Sequence, residues 1–529
     1  MSQGGTTRSL DAGAPFTLAG APLSGAGHPR ILTRPPLAIV SSFPPRECGI
    51  ATFARDLMNA LEHPHVLGNF SRLTSPAPWV IAMNEAGQSY SYGPRVRATI
   101  DRDEYSQYLE AAALLNAHPR VQLVSLQHEY GLYGGEYGSY ILDFIRAVRL
   151  PVVTTMHTVL ERPDPALRQV TEQLINSSAA VVVLARTARE LIERYYPRAD
   201  LSKVAFIPHG TPSVRREPTA RYKRELDLDG YTVLSTFGLL GPDKGIEYAI
   251  RALPAVVAHH PDALYLVLGQ THPGQRRHAG ESYRDMLTAL VDELGMRDHV
   301  RFYNRYLSMK ELLRFLQATD VYVMPYLNPQ QIVSGTLAYA VACGKTVVAT
   351  PFTYAREMLG EGRGMLAEFR DAASIGTAVN QVLDDPALKE QVEQRAYNHG
   401  LRMHWPAVGV AYCRLYQRVV DRHHSELRAR RAQYRRLMIV QGRRTASAAL
   451  AAGMGIVGLT LPDPAAKRVA TARATASAAT VGPHTVAAKR VTDARPFVAR
   501  GGTTPRRLGP PKPRPPRLGD DKRLSTPLA

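Results

Sequence analysis

Short runs of apolar, largely β-branched residues recur along the chain between helix-length amphipathic stretches. In a first series the runs are Leu37 to Ser41, Trp79 to Met83, Val121 to Leu126, Val152 to Met156, Ala180 to Leu184 and Val204 to Ile207. Their mainly apolar, β-branched character, bounded by turn residues, predicts parallel strands covered on both faces by crossover helices. A polar, charged segment from Thr211 to Gly230 interrupts the pattern, and a second series follows at Val233 to Phe237, Leu264 to Leu268, Val300 to Tyr303, Val321 to Met324 and Thr346 to Ala349. Helices are expected between these at Gly245 to His259, Tyr283 to Leu294, Ser308 to Ala318 and Gly335 to Ala342. The fold class that follows is α/β: two tandem Rossmann-like doubly wound domains, with a ligand cleft where the carboxyl ends of their strands face one another. After Asp384 the pattern turns helical through about Val440, long enough to cross back over the first domain.

Length agrees with this division, since 529 residues exceed what one hydrophobic core organises. The expected boundaries are a leader at 1–36, a first domain at 37–215, a linker at 216–232, a second domain at 233–395, returning helices at 396–440 and a tail at 441–529. The leader is rich in Gly, Ala, Ser and Pro and lacks the basic start and apolar run of a signal peptide. The tail is Ala-, Thr-, Arg- and Pro-rich, too poor in large apolar residues to repay chain entropy, so both ends are expected to be disordered. The tail holds 16 Lys and Arg against 4 Asp and Glu, so about +12 of the formal +19 lies there and the body is only mildly basic. The high isoelectric point is therefore no sign of a folded nucleic-acid surface, and no specific nucleic-acid partner is expected. Cys48, Cys343 and Cys413 are too scattered for a disulfide framework and fit a reducing cytoplasm. The run Ala448 to Leu461 is too short, and too broken by Gly, to span a bilayer.

Three segments carry candidate chemistry. In SSFPPRECGIATF a strand passes through a glycine loop into a helix starting near Gly49, where the unpaired amides of Gly49 and Ile50 and the helix dipole favour an anion. Gly49 serves equally as clearance in a tight strand-to-helix turn. FGLLGPDKGIEYAI repeats the plan and adds Lys244 just before its helix, suited to the charge that builds on a departing diphosphate. In MPYLNPQQIVSGTLAYAVACGKTVVATP the amides and hydroxyls of Ser334, Gly335 and Thr336 open a helix, either as a second anion cradle or as ordinary N-caps.

The succession FPPRECGIATF, TMHT with His157, IPHG, GPDKG, and MPY followed by ACGKTVVATP resembles the retaining glycosyltransferases of family 4, which have the GT-B fold. The resemblance spans about Pro36 to Arg395. It implies a nucleotide-sugar donor bound mainly by the second domain, an acceptor bound mainly by the first, and no obligatory metal. By resemblance His157 would contact the donor sugar and stabilise positive charge near its anomeric carbon, with Lys244 as the other catalytic group. The family's two glutamates, spaced by seven residues, fall here on Gln331 and Tyr339, and its phosphate-loop arginine on Leu239, so the donor sugar and ribose would meet an amide and a phenol instead of carboxylates. Gln270 and His272, emerging from a strand, are placed beside the donor sugar. His128, Glu129 and Tyr130, in QHEYG, offer polar and aromatic groups to a carbohydrate acceptor.

The resulting expectation is a hexosyltransferase, cytoplasmic, moving a sugar with retention from a nucleotide-diphosphate donor to a carbohydrate or glycolipid acceptor, with no cofactor and no metal. A lipid acceptor would add peripheral contact with the inner membrane face through the basic helix around Arg422 to Arg436, with Val419, Val420, Leu427, Leu437 and Met438 interleaved. The same fold would serve a sugar phosphorylase or epimerase, and the loss of both glutamates also suits a silent sugar- or nucleotide-binding protein.

Overall fold

A computed structural model describes residues 34–63 and 76–451. The chain divides into two units, Met1–Met438, which holds both sheets and the cleft, and Ile439–Ala529.

The first domain is a seven-stranded sheet of β1 (Leu37–Ser41), β2 (Trp79–Asn84), β3 (Val96–Asp101), β4 (Leu123–His128), β5 (Val152–Met156), β6 (Ala180–Val183) and β7 (Val204–Phe206). Its strand order is β3-β2-β1-β4-β5-β6-β7, and every pairing is parallel. The second is a six-stranded parallel sheet of β8 (Thr232–Phe237), β9 (Ala263–Leu268), β10 (Val300–Tyr303), β11 (Val321–Met324), β12 (Thr346–Ala349) and β13 (Met365–Leu366), in the order β10-β9-β8-β11-β12-β13. In both, the order reverses beside the first strand of the domain, the switch point at which doubly wound sheets open a crevice. Central strands such as β1, β2, β4 and β9 are buried along their whole length, which is why they are mainly apolar; in β4 the polar Ser125, Gln127 and His128 are buried as well.

Two strands escape the apolar pattern. β3 lies at a sheet edge with alternating exposure, and β13 is a two-residue edge strand, so neither needs a continuous apolar run. Within the polar 216–232 segment the structure forms a short helix, Thr219–Glu225, bearing the ion pairs of Arg221 with Glu217 and Glu225.

The chain returns to the first domain at an isolated bridge, where Trp405 N donates to Thr211 O and Thr211 N to Met403 O, both at 2.8 Å. The helix Trp405–Ala451 then packs Trp405, Val408, Tyr412, Tyr416, Val419 and Val420 against Leu37, Ile39, Phe53 and Leu57. Val419 and Val420 are thus core residues, which removes them from any membrane-facing stripe; Leu427, Tyr434, Leu437 and Met438 are exposed. The helix runs past 441, the expected start of a disordered tail. The leader through 33 and the tail from 452 lie outside the described residues. No helix among the described residues is long and apolar enough to cross a membrane.

Candidate active site

Between the two sheets lies a cleft of about 930 Å³. Its first-domain wall begins at the helix Gly49–Leu61, whose N-cap Cys48 accepts the Ala51 amide through Sγ at 3.4 Å. The first intrahelical bond is Thr52 N to Cys48 O at 3.2 Å, so the amides of Gly49 and Ile50 precede the helical ladder and border the cleft. Thr52 and Arg55, three and six residues after Gly49, line the same wall by helical periodicity.

On the opposite wall, Lys244 closes a short 3-10 turn, Pro242–Lys244, after β8. Its ammonium sits 3.0 Å from Asp243 Oδ2 and 4.1 Å from the ring centroid of Tyr326. Burial alone would lower its pKa, but Tyr326 and Asp243 more than offset this and hold it above its ordinary value. Two glycines bring the backbone in close. Gly245 is left-handed (φ 60°) and a Cβ there would lie 2.1 Å from Pro325 O, while one on Gly269 (φ 135°) would lie 2.0 Å from Gly238 O. Gly335 and Thr336 open the helix Gly335–Ala342 onto the same space. Ser334 is buried and does not line the cleft; it caps that helix by accepting Leu337 N at 3.3 Å, and it joins Thr336 Oγ1 (3.0 Å), which meets Tyr326 OH (3.1 Å).

Gln331, Tyr339, Gln270 and His272 all border the cleft. The Gln331 amide donates to Val333 O at 3.1 Å, within its own loop. Tyr339 stacks on Phe237 (6.5 Å, 13°) and meets His209 edge-on (6.1 Å). Gln270 Nε2 crosses the cleft mouth to Glu47 Oε2 at 2.5 Å, and Arg277 crosses beside it to Glu85 at 3.2 Å. His272 accepts Gly274 N through Nδ1 at 3.1 Å, and burial lowers its pKa.

Of the three expected acceptor residues, only Glu129 reaches the cleft. Its carboxylate accepts Tyr130 N (3.0 Å) and Thr158 Oγ1 (2.5 Å), and burial raises its pKa. His128 is wholly buried between Tyr130 and Tyr133, and Tyr130 OH turns inward to Thr171 Oγ1 at 2.8 Å. His157 lines the cleft at the end of β5, with Phe53 edge-on at 4.8 Å; burial holds its pKa at about 3, so the ring is neutral. His209, Arg55, Thr52 and Tyr326 are cleft residues that motif reading passed over. IPHG and MPY each carried the signal, a polar residue just past a strand. Among the described residues no group of three or more His, Cys, Asp or Glu is placed to hold a metal ion.

Two sheets with coincident switch points and a shared cleft can be compared directly with known proteins. The fold is GT-B. Sucrose-phosphate synthase of Thermosynechococcus elongatus superposes with TM-score 0.57 at 18% identity, covering 73% of this chain and 100% of that one. Anabaena HepE, in complex with UDP and glucose, superposes with TM-score 0.56 at 13% identity over 72% of this chain and 99% of that one. Residues 219–399 match the family of glycosyl transferases group 1. A D-inositol 3-phosphate glycosyltransferase of Acidothermus cellulolyticus is 29% identical over 277 residues, which span 48% of this chain and 59% of that enzyme. The structural likenesses establish the fold, the family match covers residues 219–399, and the chain spans 59% of the length of the Acidothermus relative.

Proposed function

We propose that the chain transfers a sugar, with retention of anomeric configuration, from a nucleotide-diphosphate donor to a hydroxyl of a carbohydrate or glycolipid acceptor. The observation that carries this reading is the presence of Lys244, Gly335 and Thr336 on one wall and Gly49 and Ile50 on the other wall of a single cleft. A volume of about 930 Å³ suits a nucleotide sugar with its acceptor. Helix-start amides and an ammonium are what a diphosphate requires as it departs. The acceptor oxygen attacks the anomeric carbon, the carbon–oxygen bond to the diphosphate breaks, and a phosphate oxygen takes the acceptor's proton. No metal is invoked, because Lys244 and the two helix starts supply the positive potential. Gln331 and Tyr339 would meet the donor sugar and ribose, with Gln270 and His272 beside them, and Glu129 would meet the acceptor.

The name of the Acidothermus relative favours a phosphorylated polyol as acceptor. For a lipid acceptor, the exposed arginines of the last helix, Arg422, Arg428, Arg431 and Arg435, would rest on an anionic surface, which co-sedimentation with anionic vesicles checks. A thermal-shift screen of UDP, GDP and ADP with their sugars should single out one base by a raised melting temperature. NMR of the product made with that donor should then show the donor's anomeric configuration. Inversion would overturn the retaining mechanism. The absence of the two glutamates favours a second reading, a silent binding protein, which binding without transfer across the donor panel would select.

A further inference from the structure

Behind the cleft wall a file of buried polar side chains leads from the last helix to His157. Tyr416 OH lies 2.7 Å from Ser125 Oγ in β4. Gln127, two residues further along and so on the same strand face, directs its amide nitrogen to Ser125 Oγ at 3.5 Å and its oxygen to His157 Nε2 at 3.0 Å. All four residues are buried. The backbone on either side is anchored: Tyr133 OH donates to Gln127 O at 2.6 Å, and His157 N donates to His128 O at 3.0 Å. With the glutamine NH2 directed to the serine, Gln127 Oε1 faces the imidazole as an acceptor and is matched by an N–H at Nε2. Nδ1 then keeps its lone pair. It has no protein partner among the described residues, and the ring borders the cleft.

We propose that Gln127, seated by Ser125 and Tyr416, is a positioning residue that locks His157 in its Nε2–H tautomer, so that Nδ1 faces the cleft as an acceptor for one hydroxyl of the bound sugar. A neutral ring whose only N–H is already committed can accept a hydrogen bond but cannot donate one. The site therefore selects a sugar O–H at that position against a deoxy or fluoro analogue, which leaves the lone pair unmatched. The last helix, through Tyr416, becomes part of the apparatus that sets donor selectivity.

The choice of hydroxyl rests on the glycosyl-transfer reading; the tautomer does not. Full-length protein labelled with ¹⁵N in the histidine rings, with His157→Asn for assignment, should show a protonated Nε2 and a bare Nδ1 on His157 at neutral pH. Gln127→Leu should release the ring into a mixture of tautomers, and Gln127→Glu, which still accepts, should restore the locked form. With a transferred donor and its deoxy analogues, removing one hydroxyl should cost the wild type about 10- to 100-fold in kcat/KM. That penalty should shrink several-fold in Gln127→Leu, less in Tyr416→Phe, and persist in Gln127→Glu. A bare Nε2 in the wild type would overturn the proposal, as would a Gln127→Leu variant with unchanged tautomer and unchanged deoxy penalty. A locked tautomer in a protein that transfers no donor would sustain the positioning role and count against the transferase reading alone.

Discussion

The two domains share one topology but furnish the cleft differently. The first contributes a helix start and two neutral, buried imidazoles, His157 and His209, each tied down by a hydrogen bond, to Gln127 and to Gly210 O. The second contributes the ammonium of Lys244, held by contacts that an incoming anion can replace, Asp243 and the face of Tyr326. Apart from Arg55, which pairs with Asp56, the first side thus supplies fixed dipoles, and the second supplies an ammonium whose contacts an anion can replace. Removing the charge should break this contrast most. Lys244→Ala is expected to lower turnover by about 10²- to 10³-fold at saturating donor, the scale of losing one preorganised electrostatic contact to a leaving group. Lys244→Arg should retain part of it. Steady-state kinetics decide the matter, and an unchanged kcat would take Lys244 out of the mechanism.

The fixed side has its own signature in acid. Burial holds His128 and His157 at about 3 and His209 at about 4, all in the first domain, whereas His399, also at about 4 through burial, stands in the second half. The unfolded chain, with histidines near 6.5, takes up protons first as pH falls. The stability these groups contribute is therefore present above about 6.5 and is lost progressively as pH drops toward 4 and 3. Between pH 7.5 and 5.5 each group should cost about 1.4 kcal/mol. Denaturant unfolding at the two pH values measures the total, and His128→Phe should remove about one such share. An identical acid loss in the variant would show that His128 does not stay neutral in the fold.

The contrast between domains also explains what could be seen in advance. Buried parallel strands betray themselves as mainly apolar runs, and eleven of the thirteen strands lie on such runs; β3 and β13, at sheet edges, have no such obligation. Lys244 and Gly335 were legible because a loop between a buried strand and a helix start has one place to go, the carboxyl edge of the sheet. Side-chain direction is harder. In β4 the alternation that turns His128 into the core and away from the cleft carries no local mark, since its neighbours are polar as well. Arg55 was hidden for a different reason, because a charged residue within a helix is ordinarily solvent-facing, and only the second domain opposite makes its position part of a site.

The smallest expected effect tests how the two halves are joined behind the cleft. Glu357, half-buried on the helix Thr353–Leu359 of the second domain, accepts Arg186 N at 2.9 Å, Thr187 N at 3.0 Å and Thr187 Oγ1 at 2.8 Å. Those amides open the helix Arg186–Tyr195 of the first domain, whose own N-cap, Ala185, offers no side-chain acceptor. A carboxylate from one domain thus serves as the helix cap of the other, favoured by the helix dipole. Glu357→Ala should cost about 1 kcal/mol of stability, as loss of a cap does. Glu357→Gln, which keeps an acceptor but loses the charge, should cost less. Because this cap spans the domains, its loss should also widen the spread of domain orientations seen by small-angle scattering, which an internal cap would leave untouched. A Glu357→Ala protein of normal melting temperature and unchanged scattering would mean that this cap does not hold the two halves together.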